Sequence, residues 1–359
     1  MNNQPFRKIK VLIVDDSIVS QKLYQRLLEQ DSRFEVVGIA GNGKQAIEYV
    51  AKLQPDVVSM DINMPLMDGV EATRQIMQQN PIPITIVSSL YNPEEVEIAM
   101  RVLEAGAVNI ISKPNGPGHP KFESDSRQYL DMLRMMSEVK VVRRRVASQF
   151  SANKPIEKEP TDFSRITNPD NDYGIVVIGA SAGGPEALKS LLGAFNPGFP
   201  LPILIVQHID PNFAEGYRTW LQSNVYIPVV AAEKNQKIKP GFAYIAPGDY
   251  HLEIISEGVI TLTSGPPVKG LRPAVANLFR SAADAYGKRS IAVILSGMGA
   301  DGAAETALLR SKGAMTFAQN EPTCLVFGMP GEAIKSGGIV SVLPPREIAN
   351  AIMNLLIKA

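Results

Sequence analysis

Residues 175–184 read I-V-V-I-G-A-S-A-G-G. The opening apolar run has no polar alternation, which is typical of a strand covered on both faces in a parallel sheet. Ser181 then stands between small residues, where the strand would pass into a helix. Such a turn either binds a phosphate or nucleotide through backbone N–H groups or presents a nucleophilic hydroxyl. The stretch therefore predicts a β–α unit of a parallel sheet with a functional turn at its end.

The same pattern recurs through the second half of the chain and predicts its fold. Stretches with apolar residues at spacings of three and four separate the apolar runs. Two runs at 251–256 and 259–264, joined by E-G, are typical of a β-hairpin. We predict a doubly wound, mostly parallel α/β domain over residues 173–359, with this hairpin at the edge of its sheet. Its strand runs lie at 175–179, 201–208, 242–247, 291–297 and 315–319.

Five shorter apolar runs precede this domain, and stretches with helical spacing separate them. The alternation predicts five successive β–α units and a doubly wound, flavodoxin-like (βα)5 sheet. A length of 359 residues supports two domains, because it exceeds what one hydrophobic core usually serves. The five runs lie at 11–14, 36–40, 56–60, 84–87 and 109–112.

A segment without strand pattern separates the two α/β regions. Residues 128–147 are predicted to form a basic amphipathic helix, and residues 148–172 are polar, charged and dotted with prolines. The R-R-R cluster at 143–145 allows a phosphate-binding or membrane-binding surface, but a solvated helix face is the commoner role of such a cluster. The segment as a whole therefore predicts a linker.

The overall composition is that of a soluble globular protein, with 45% hydrophobic and 20% charged residues and a formal net charge of +0. Balanced charge argues against a dedicated nucleic-acid binder, which normally carries a basic excess. No apolar run approaches the roughly 18 residues that span a bilayer, and the first residues lack a signal-peptide pattern. The single cysteine, Cys324, excludes an internal disulfide and is expected to be a small buried hydrophobic residue. We therefore expect a cytoplasmic protein that neither binds nucleic acid nor inserts into a membrane.

Acidic, hydroxyl and amine side chains follow the predicted strands of the first half. Asp15 and Asp16 follow the first strand, Asp61 the third, Ser88 the fourth and Lys113 the fifth. Because the carboxyl ends of parallel strands meet at one edge of a sheet, these side chains are expected to lie together. Three nearby carboxylates repel one another and favour a hard cation such as Mg²⁺, beside which one carboxylate can attack phosphorus. The alternative is that these side chains merely lie in solvent at the ends of strands. It is disfavoured because four different strand ends together carry acidic, hydroxyl and amine groups.

The G-A-S-A-G pattern around Ser181 is weak by itself, and other residues decide its interpretation. A dinucleotide site would need G-x-G-x-x-G and an acidic residue after the next strand, whereas that strand ends at His208. Asp301 lies in the glycine-rich loop S-G-M-G-A-D-G, whose backbone N–H groups can turn toward an oxyanion. Ser181, His208 and Asp301 therefore predict a nucleophile, its general base and the carboxylate that orients the base. Asp210 and Asp249 are alternative carboxylates.

The other two histidines are less suited to act as the base. His119 lies in a loop rich in proline and glycine and is expected to be exposed. His251 begins the predicted hairpin, where a surface or rim position is expected.

The motifs V-D-D-S, M-D-I-N-M-P-L-M-D-G and S-K-P resemble those of a response-regulator receiver domain, over roughly residues 8–126. The resemblance implies that a chemotaxis histidine kinase phosphorylates Asp61, and that Ser88 and Lys113 contact the phosphoryl group. It also implies a set of Mg²⁺ ligands, namely Asp15, Asp16, Asp61 and the carbonyl of Asn63.

A second set of motifs resembles the catalytic domain of chemotaxis protein-glutamate methylesterases, from about residue 173 to 357. Among these motifs are I-G-A-S-A-G-G-P-E-A-L, V-Q-H-I, A-P-G-D-Y-H, G-L-R-P-A-V-A-N, S-G-M-G-A-D-G and F-G-M-P. The resemblance implies that Ser181, His208 and Asp301 form a triad that hydrolyses glutamyl methyl esters on chemoreceptors and commonly deamidates glutamines. It makes the backbone at Met298 a candidate for the oxyanion hole, and no cofactor is expected at this site.

Together the resemblances divide the chain into a receiver domain over 8–126, a linker over 127–172 and a methylesterase domain over 173–359. This order predicts a switch, in which the receiver covers the serine site until Asp61 is phosphorylated. Position 182 is alanine where members of the family often carry threonine. Because the triad residues are all present, we expect this difference to change the esterase rate without abolishing the activity.

Three other functions are weaker interpretations of the same sequence. The second half would be a non-catalytic module if the protein were a phosphorylation-controlled adaptor. A nucleotide-dependent oxidoreductase is disfavoured by the missing dinucleotide pattern. A DNA-binding regulator would show a helix-turn-helix signature, which we do not find.

Overall fold

The computed structural model consists of two units, Met1–Ala147 and Ser148–Ala359. Each unit contains its own parallel sheet, and this confirms the α/β fold that the sequence predicts for both halves. The predicted linker segment over 148–172 and the arginine cluster at 143–145 lie outside the described residues. The structure describes residues 7–89, 93–139, 141, 173–196 and 198–357.

The first unit is a five-stranded parallel sheet with helices between its strands. The strands are β1 (Ile9–Val14), β2 (Phe34–Ala40), β3 (Val57–Met60), β4 (Ile84–Ser88) and β5 (Asn109–Ser112). The helices are α1 (Ile18–Glu29), α2 (Gly43–Leu53), α3 (Gly69–Gln79), α4 (Pro93–Ala105) and α5 (Phe122–Ser137). The strand order β2-β1-β3-β4-β5 is that of a doubly wound sheet, in which β1 lies at the point where the order reverses.

Polar side chains begin three helices of this unit. Ser17, Asn42 and Asp68 each occupy an N-cap position and accept a hydrogen bond from the main-chain N–H three residues later. These caps satisfy N–H groups that have no partner inside the helix. The short segments after β1 and β2 therefore turn the chain directly from strand to helix, whereas a longer loop, residues 61–68, joins β3 to the cap of α3.

The helix predicted over 128–147 begins earlier in the structure and belongs to the first unit, while residues 142–147 of the prediction lie outside the described residues. It is α5, which covers Phe122–Ser137 and contacts β3 and β4. Its Tyr129 is buried, stacks on Tyr24 with ring centroids 5.0 Å apart and donates a hydrogen bond to Ser59. A helix with such a buried face is part of the domain rather than of a linker, so the predicted division between residues 126 and 127 falls inside α5.

The second unit is a seven-stranded parallel sheet accompanied by a separate hairpin. The sheet strands are β6 (Ile175–Ala180), β7 (Ile203–Gln207), β8 (Val229–Ala231), β9 (Ala243–Ile245), β12 (Ser290–Ile294), β13 (Met315–Gln319) and β14 (Ser341–Leu343), and the hairpin strands are β10 (His251–Ile255) and β11 (Val259–Thr263). The helices are α6 (Gly184–Leu192), α7 (Pro211–Asn224), α8 (Val275–Ala285), α9 (Ala303–Ser311), α10 (Met329–Lys335) and α11 (Pro345–Ile357). The sheet order is β14-β13-β12-β6-β7-β9-β8, and the short edge strands β8 and β14 were not predicted.

The predicted hairpin is present, but it does not extend the seven-stranded sheet. β10 and β11 form a separate two-stranded antiparallel sheet, Val259 of β11 makes one further isolated bridge to Lys237, and β10 contacts α8. Leu252, Ile254 and Ile260 of the hairpin belong to the core cluster that also contains residues of α8. The hairpin therefore covers a helix face instead of a sheet edge.

The inner strands of both sheets are buried along nearly their whole length, as their uninterrupted apolar runs predict, whereas the edge strands β2, β8 and β14 are mostly half-buried. All residues of β6, β7 and β12 are buried. Among the described residues, none of the helices combines the length and the apolar character that crossing a bilayer requires.

Candidate functional sites

Three neighbouring strands of the second sheet bring the predicted triad together. β6 lies between β12 and β7, which is where the strand order reverses. Ala180 at the end of β6 is in register with Gln207 at the end of β7, so the residues that follow them, Ser181 and His208, emerge side by side. The loop that carries Asp301 follows β12 on the other side of β6. Ligand sites of doubly wound sheets occur at such reversal points, because the chain diverges there and leaves a crevice.

The structure joins His208 to Asp301. Nε2 of His208 lies 2.9 Å from Oδ2 of Asp301, and the two side chains are only 9% and 4% exposed. The carboxylate also accepts main-chain N–H groups from Val275 at 2.6 Å and from Ala276 at 3.0 Å, at the beginning of α8. With Nε2 engaged, Nδ1 is the imidazole nitrogen that is available to a nucleophile.

These contacts keep Asp301 ionised. Burial by itself would raise the pKa of the Asp301 carboxyl, but the hydrogen bond and charge of His208 and the two N–H donors outweigh it. The net effect is a pKa below the ordinary value of an aspartate. Asp301 is therefore suited to hold the imidazole in place and to stabilise its protonated form.

Ser181 occupies a tight turn between β6 and α6. Its N–H donates to the carbonyl of Ser296 at 3.0 Å, and its carbonyl accepts the N–H of Gly184 at 2.7 Å. Gly183 has φ 75, and a Cβ at that position would lie 2.6 Å from both Leu325 and Ser296, so glycine is required there. Within the described residues, no hydrogen bond joins the hydroxyl of Ser181 to His208, and catalytic bonds of this type often form only once substrate is bound.

Main-chain N–H groups of the serine turn and of the Asp301 loop, two of which matter here, have no acceptor among the described residues. One belongs to Ala182, directly after Ser181, and the other to Met298 in the loop that carries Asp301. The loop is held by main-chain bonds from Gly328 and Met329 to the carbonyl of Gly297. Free N–H groups at a nucleophile turn are typical donors of an oxyanion hole, and Met298 stays a prediction for this role.

The alternative carboxylates have other partners. Asp210 caps α7 by accepting the N–H of Asn212 at 3.0 Å. Asp249 has φ 63 and lies 3.8 Å from the guanidinium of Arg272. Among the described carboxylates, Asp301 alone is hydrogen-bonded to His208.

The remaining candidates differ in how the structure places them. His119 is exposed, as the sequence predicts. His251 is only 1% exposed, and the prediction of a surface or rim position is wrong. Its imidazole lies between the carbonyl of Pro266 at 3.1 Å and the N–H of Ala274 at 3.2 Å, because the hairpin packs against the start of α8. Cys324 is buried, and burial together with Glu321 raises its pKa to about 12.

The acidic residues of the first unit converge at the carboxyl ends of β1 and β3. Asp15, Asp16 and Asp61 place carboxylate oxygens within 4.8 Å of one another. Nζ of Lys113 lies 2.9 Å from Oδ2 of Asp15 and 2.8 Å from Oδ2 of Asp61. A donor set of three carboxylates suits a hard cation such as Mg²⁺, so the chemistry of these residues fits the expected metal.

The charges in this pocket are coupled. Burial and the charge of Asp15 raise the pKa of Asp61 although Lys113 opposes the shift. Burial would lower the pKa of Lys113, but its two carboxylate partners raise it. The lysine therefore stays protonated, and the buried negative charge on Asp61 is energetically disfavoured when no cation is bound.

The other predicted pocket residues, Ser88 and Asn63, lie at the end of β4 and in the loop after Asp61. Ser88 is buried at the end of β4, and its carbonyl accepts the main-chain N–H of Lys113 at 3.0 Å. Asn63 lies in the exposed loop after Asp61, and its role as a carbonyl ligand stays a prediction. A Cβ at Gly69 would lie 2.3 Å from the carbonyl of Asp61, which explains the glycine of the M-D-G sequence. The loop thus folds back tightly against the acidic residue.

Sequence reasoning missed several residues that hold the serine site together. The N–H groups of Val275 and Ala276 bind Asp301. Such main-chain donors cannot be recognised from a sequence, because nearly every residue type carries one. Gln207 and Ser296 are buried polar residues at the ends of β7 and β12, and both contact the turn around Ser181. A polar residue directly after an apolar strand run was the available signal for both.

Two family models match the chain. The model described as CheB methylesterase matches residues 176–352, and the model described as response regulator receiver domain matches residues 11–119. The two matched regions contain the serine site and the acidic pocket, respectively.

Curated relatives match nearly the whole chain. Protein-glutamate methylesterase/protein-glutamine glutaminase 4 of Geobacter metallireducens is 42% identical over 97% of this chain and 99% of its own length. Protein-glutamate methylesterase/protein-glutamine glutaminase 1 of Syntrophus aciditrophicus is 42% identical over 97% of this chain and 98% of its own. The crystal structure of the Thermotoga maritima CheB methylesterase catalytic domain covers 51% of this chain and 98% of its own, with 38% identity and a TM-score of 0.49. On the identity and coverage of the curated relatives, the chain belongs to the family of protein-glutamate methylesterases/protein-glutamine glutaminases that carry a response-regulator receiver domain.

Proposed function

We propose that this protein is a phosphorylation-activated methylesterase, which hydrolyses glutamyl methyl esters on chemoreceptors and deamidates receptor glutamines. The names of its full-length relatives and the two matching family models support the activity and the control by a receiver domain. The observation that carries the proposal is the hydrogen bond between His208 and Asp301 beside Ser181, at the reversal point of the second sheet.

In the proposed acylation step, Ser181 Oγ attacks the ester carbonyl carbon while Nδ1 of His208 takes the hydroxyl proton. The main-chain N–H groups of Ala182 and Met298 are the donors available for the resulting oxyanion. Collapse of the intermediate breaks the bond to the methoxy oxygen, and His208 returns the proton to methanol as it leaves. Asp301 stays ionised throughout and stabilises the imidazolium.

A water molecule then completes the reaction. His208 removes a proton from the water as the water oxygen attacks the acyl carbon. Collapse breaks the bond between that carbon and Oγ of Ser181, His208 returns the proton to Oγ, and the released glutamic acid side chain ionises to its carboxylate by giving a proton to solvent. The same sequence applied to a glutamine side chain releases ammonia in place of methanol. The esterase site needs no cofactor for either reaction in this scheme.

In the receiver domain, the carboxylate of Asp61 is the proposed phosphoacceptor for a chemotaxis histidine kinase. Mg²⁺ would supply charge neutralisation for the phosphoryl oxygens when bound. Lys113 lies close enough to Asp61 to contact a phosphoryl group on it, and Ser88 is placed at the end of the neighbouring strand. The proposed ligands of the cation are Asp15, Asp16, Asp61 and the carbonyl of Asn63.

Phosphorylation and hydrolysis are linked in the proposed switch. The receiver restrains the esterase until phosphorylation of Asp61 shifts a pre-existing equilibrium toward an active arrangement. We propose that the receiver extends through α5, ahead of a linker and of the catalytic domain from residue 173. The cytoplasmic location expected from the sequence is part of this proposal.

The proposal is tested by methanol release from methylated receptor membranes, with and without a small phosphodonor such as acetyl phosphate. The wild-type protein should release methanol faster with the phosphodonor, and Ser181→Ala should lower the rate by orders of magnitude, because triad residues act as a unit. A wild-type protein that binds the membranes without releasing methanol would instead be an adaptor.

A further inference from the structure

Gln207 is a buried residue that contacts the main chain of both the serine and the histidine. It is the last residue of β7 and is 3% exposed. Its Nε2 donates one hydrogen bond to the carbonyl of Ser181 at 2.9 Å and another to the carbonyl of His208 at 2.8 Å. Since an amide nitrogen carries two hydrogens, both are used by the two residues.

The orientation of this amide is determined by its surroundings. A reversed amide would place Oε1 against two carbonyl oxygens, which carry only lone pairs. In the observed orientation Oε1 is buried without a partner. A Cβ at Gly184 would lie 2.2 Å from it, so the oxygen packs directly against the first residue of α6. Gln207 therefore leaves its Oε1 without a hydrogen-bond donor, while both N–H groups of its amide bind the carbonyls of Ser181 and His208.

We propose that Gln207 is a positioning residue, which sets the separation between the nucleophile Ser181 and the base His208. The inference rests on the proposed function, because it assumes that these two residues exchange a proton. Both bonds come from one nitrogen atom, so any shift of the serine turn relative to the end of β7 must stretch one of them. Gln207 thereby links the turn at Ser181, which follows β6, to His208, which follows the neighbouring strand β7.

The need for such a link follows from the geometry of the site. No hydrogen bond between the two catalytic side chains is present in the described structure, so their approach depends on how the main chains are held. Ser296 supports the serine turn from the opposite side, where its hydroxyl donates to the carbonyl of Ala182 at 2.7 Å. Ser296 makes no hydrogen bond to His208, and Gln207 is the side chain that joins turn and base.

Gln319 offers a matched control within the same sheet. It is also a buried glutamine, 2% exposed, at the last position of a five-residue strand, β13. Its amide accepts the N–H of Ser296 at 2.7 Å and donates to the carbonyl of Thr323 at 2.8 Å. It also donates to the hydroxyl of Thr323 at 3.3 Å. Substitution of Gln319 therefore removes buried amide hydrogen bonds in the same sheet, but none of them is made directly to Ser181 or His208.

The test compares Gln207→Met and Gln319→Met in the full chain, with methanol release from methylated receptor membranes as the readout. Methionine has a similar size and no donor. We expect kcat of Gln207→Met to fall about 10- to 100-fold with KM within about twofold, since a displacement near 1 Å can have such an effect on rate. Gln319→Met removes no bond to Ser181 or His208 and reaches the serine turn only through Ser296, so its kcat should fall at least about threefold less than that of Gln207→Met at a temperature where both variants are folded.

Two results would overturn the inference: a kcat of Gln207→Met within about threefold of the wild type, or an equal fall in both variants. If Gln207→Met does not fold, Gln207→Asn is measured, because it keeps the amide but is one methylene too short to reach both carbonyls. A loss of kcat there supports the inference, and an unchanged kcat contradicts it. Failure of the wild-type protein to release methanol would contradict the proposed function itself, so the two failures are distinguishable.

Discussion

Nε2 of His208 and Oδ2 of Asp301 lie 2.9 Å apart, although 93 residues separate the two in the chain. The same carboxylate accepts N–H groups from Val275 and Ala276, so three donors converge on it. A neutral His208 that donates from Nε2 has its lone pair on Nδ1, the nitrogen left for Ser181. The carboxylate thus determines both the position and the tautomer of the His208 imidazole.

Asp301→Asn is expected to lower kcat for ester hydrolysis by about 10³-fold or more, because a neutral amide does not stabilise the imidazolium. It should also lower the free energy of unfolding by about 1–3 kcal/mol at pH 7, since one amide oxygen cannot satisfy three donors. The lowered pKa of Asp301 means that its contribution is complete above the ordinary value of 3.8 and is lost as the pH falls through the folded-state pKa. Methanol release and urea unfolding measure the two effects.

Asp210→Asn is the control for this prediction. Asp210 caps α7 two residues after His208 but is not hydrogen-bonded to the imidazole. Its substitution should leave kcat within about threefold of the wild type. An equal fall of kcat in both variants would show that Asp301 acts only through the stability of this sheet edge.

Asp61→Asn is expected to abolish activation by acetyl phosphate, because the amide is not a nucleophile for phosphorus. Turnover should stay at the level of the unphosphorylated chain. Asp68→Asn is a suitable control, since Asp68 lies in the same loop and caps α3 through a bond to the N–H of Glu71. Activation of the Asp61 variant to the wild-type level would place the phosphoacceptor elsewhere.

Binding of Mg²⁺ is expected to stabilise the receiver. Burial and the charge of Asp15 raise the pKa of Asp61, so its ionised form at pH 7 is unfavourable in the folded state, and a bound cation relieves this. Asp61→Asn should therefore have a higher Tm than the wild type in EDTA, because it lacks this buried negative charge. Calorimetry should show a Mg²⁺-dependent rise in Tm for the wild type that is much smaller in the variant. Equal responses of both proteins would argue against Asp61 as a ligand.

A fragment of residues 173–359 is expected to hydrolyse methyl esters faster than the unphosphorylated full chain. The reason is the proposed restraint by the receiver, which the fragment lacks, whereas its own sheet contains the complete serine site. Initial rates of methanol release at equal concentrations provide the measurement. A fragment no faster than the full chain would rule out inhibition by the receiver.

Cys324 is expected to be almost unreactive toward iodoacetamide in the folded protein. Burial raises its pKa to about 12, so only about one thiol in 10⁴ is ionised at pH 8. Between pH 8 and 11 the labelling rate should rise about tenfold per pH unit, and unfolding in urea should raise it sharply at pH 8. Mass spectrometry of the alkylated peptide provides the measurement, and rapid labelling of the native protein at pH 8 would contradict the burial.

The sequence predicted the positions of three strand-end residues better than it predicted their surroundings. Ser181, His208 and Asp301 follow strand runs, and the carboxyl ends of parallel strands share one edge, so their convergence was predictable from order alone. His251 was misjudged because its burial depends on the packing of the hairpin against α8, a contact between segments with no local pattern in common. The helix at 122–137 was misplaced for a similar reason, since its buried face is defined by Tyr24 and Ser59 on other elements.

The amino-acid sequence by itself determined the two parallel sheets, the glycines of the serine turn and the acidic pocket, because these follow from local hydrophobic pattern and backbone freedom. Tertiary structure alone decided which carboxylate holds His208 and which side chains hold the serine turn. Asp210 is nearest to His208 in sequence, yet Asp301 is its partner, because β12 and β7 lie on either side of β6. Likewise, the two hydrogen bonds of Gln207 exist only because β6 and β7 end in register.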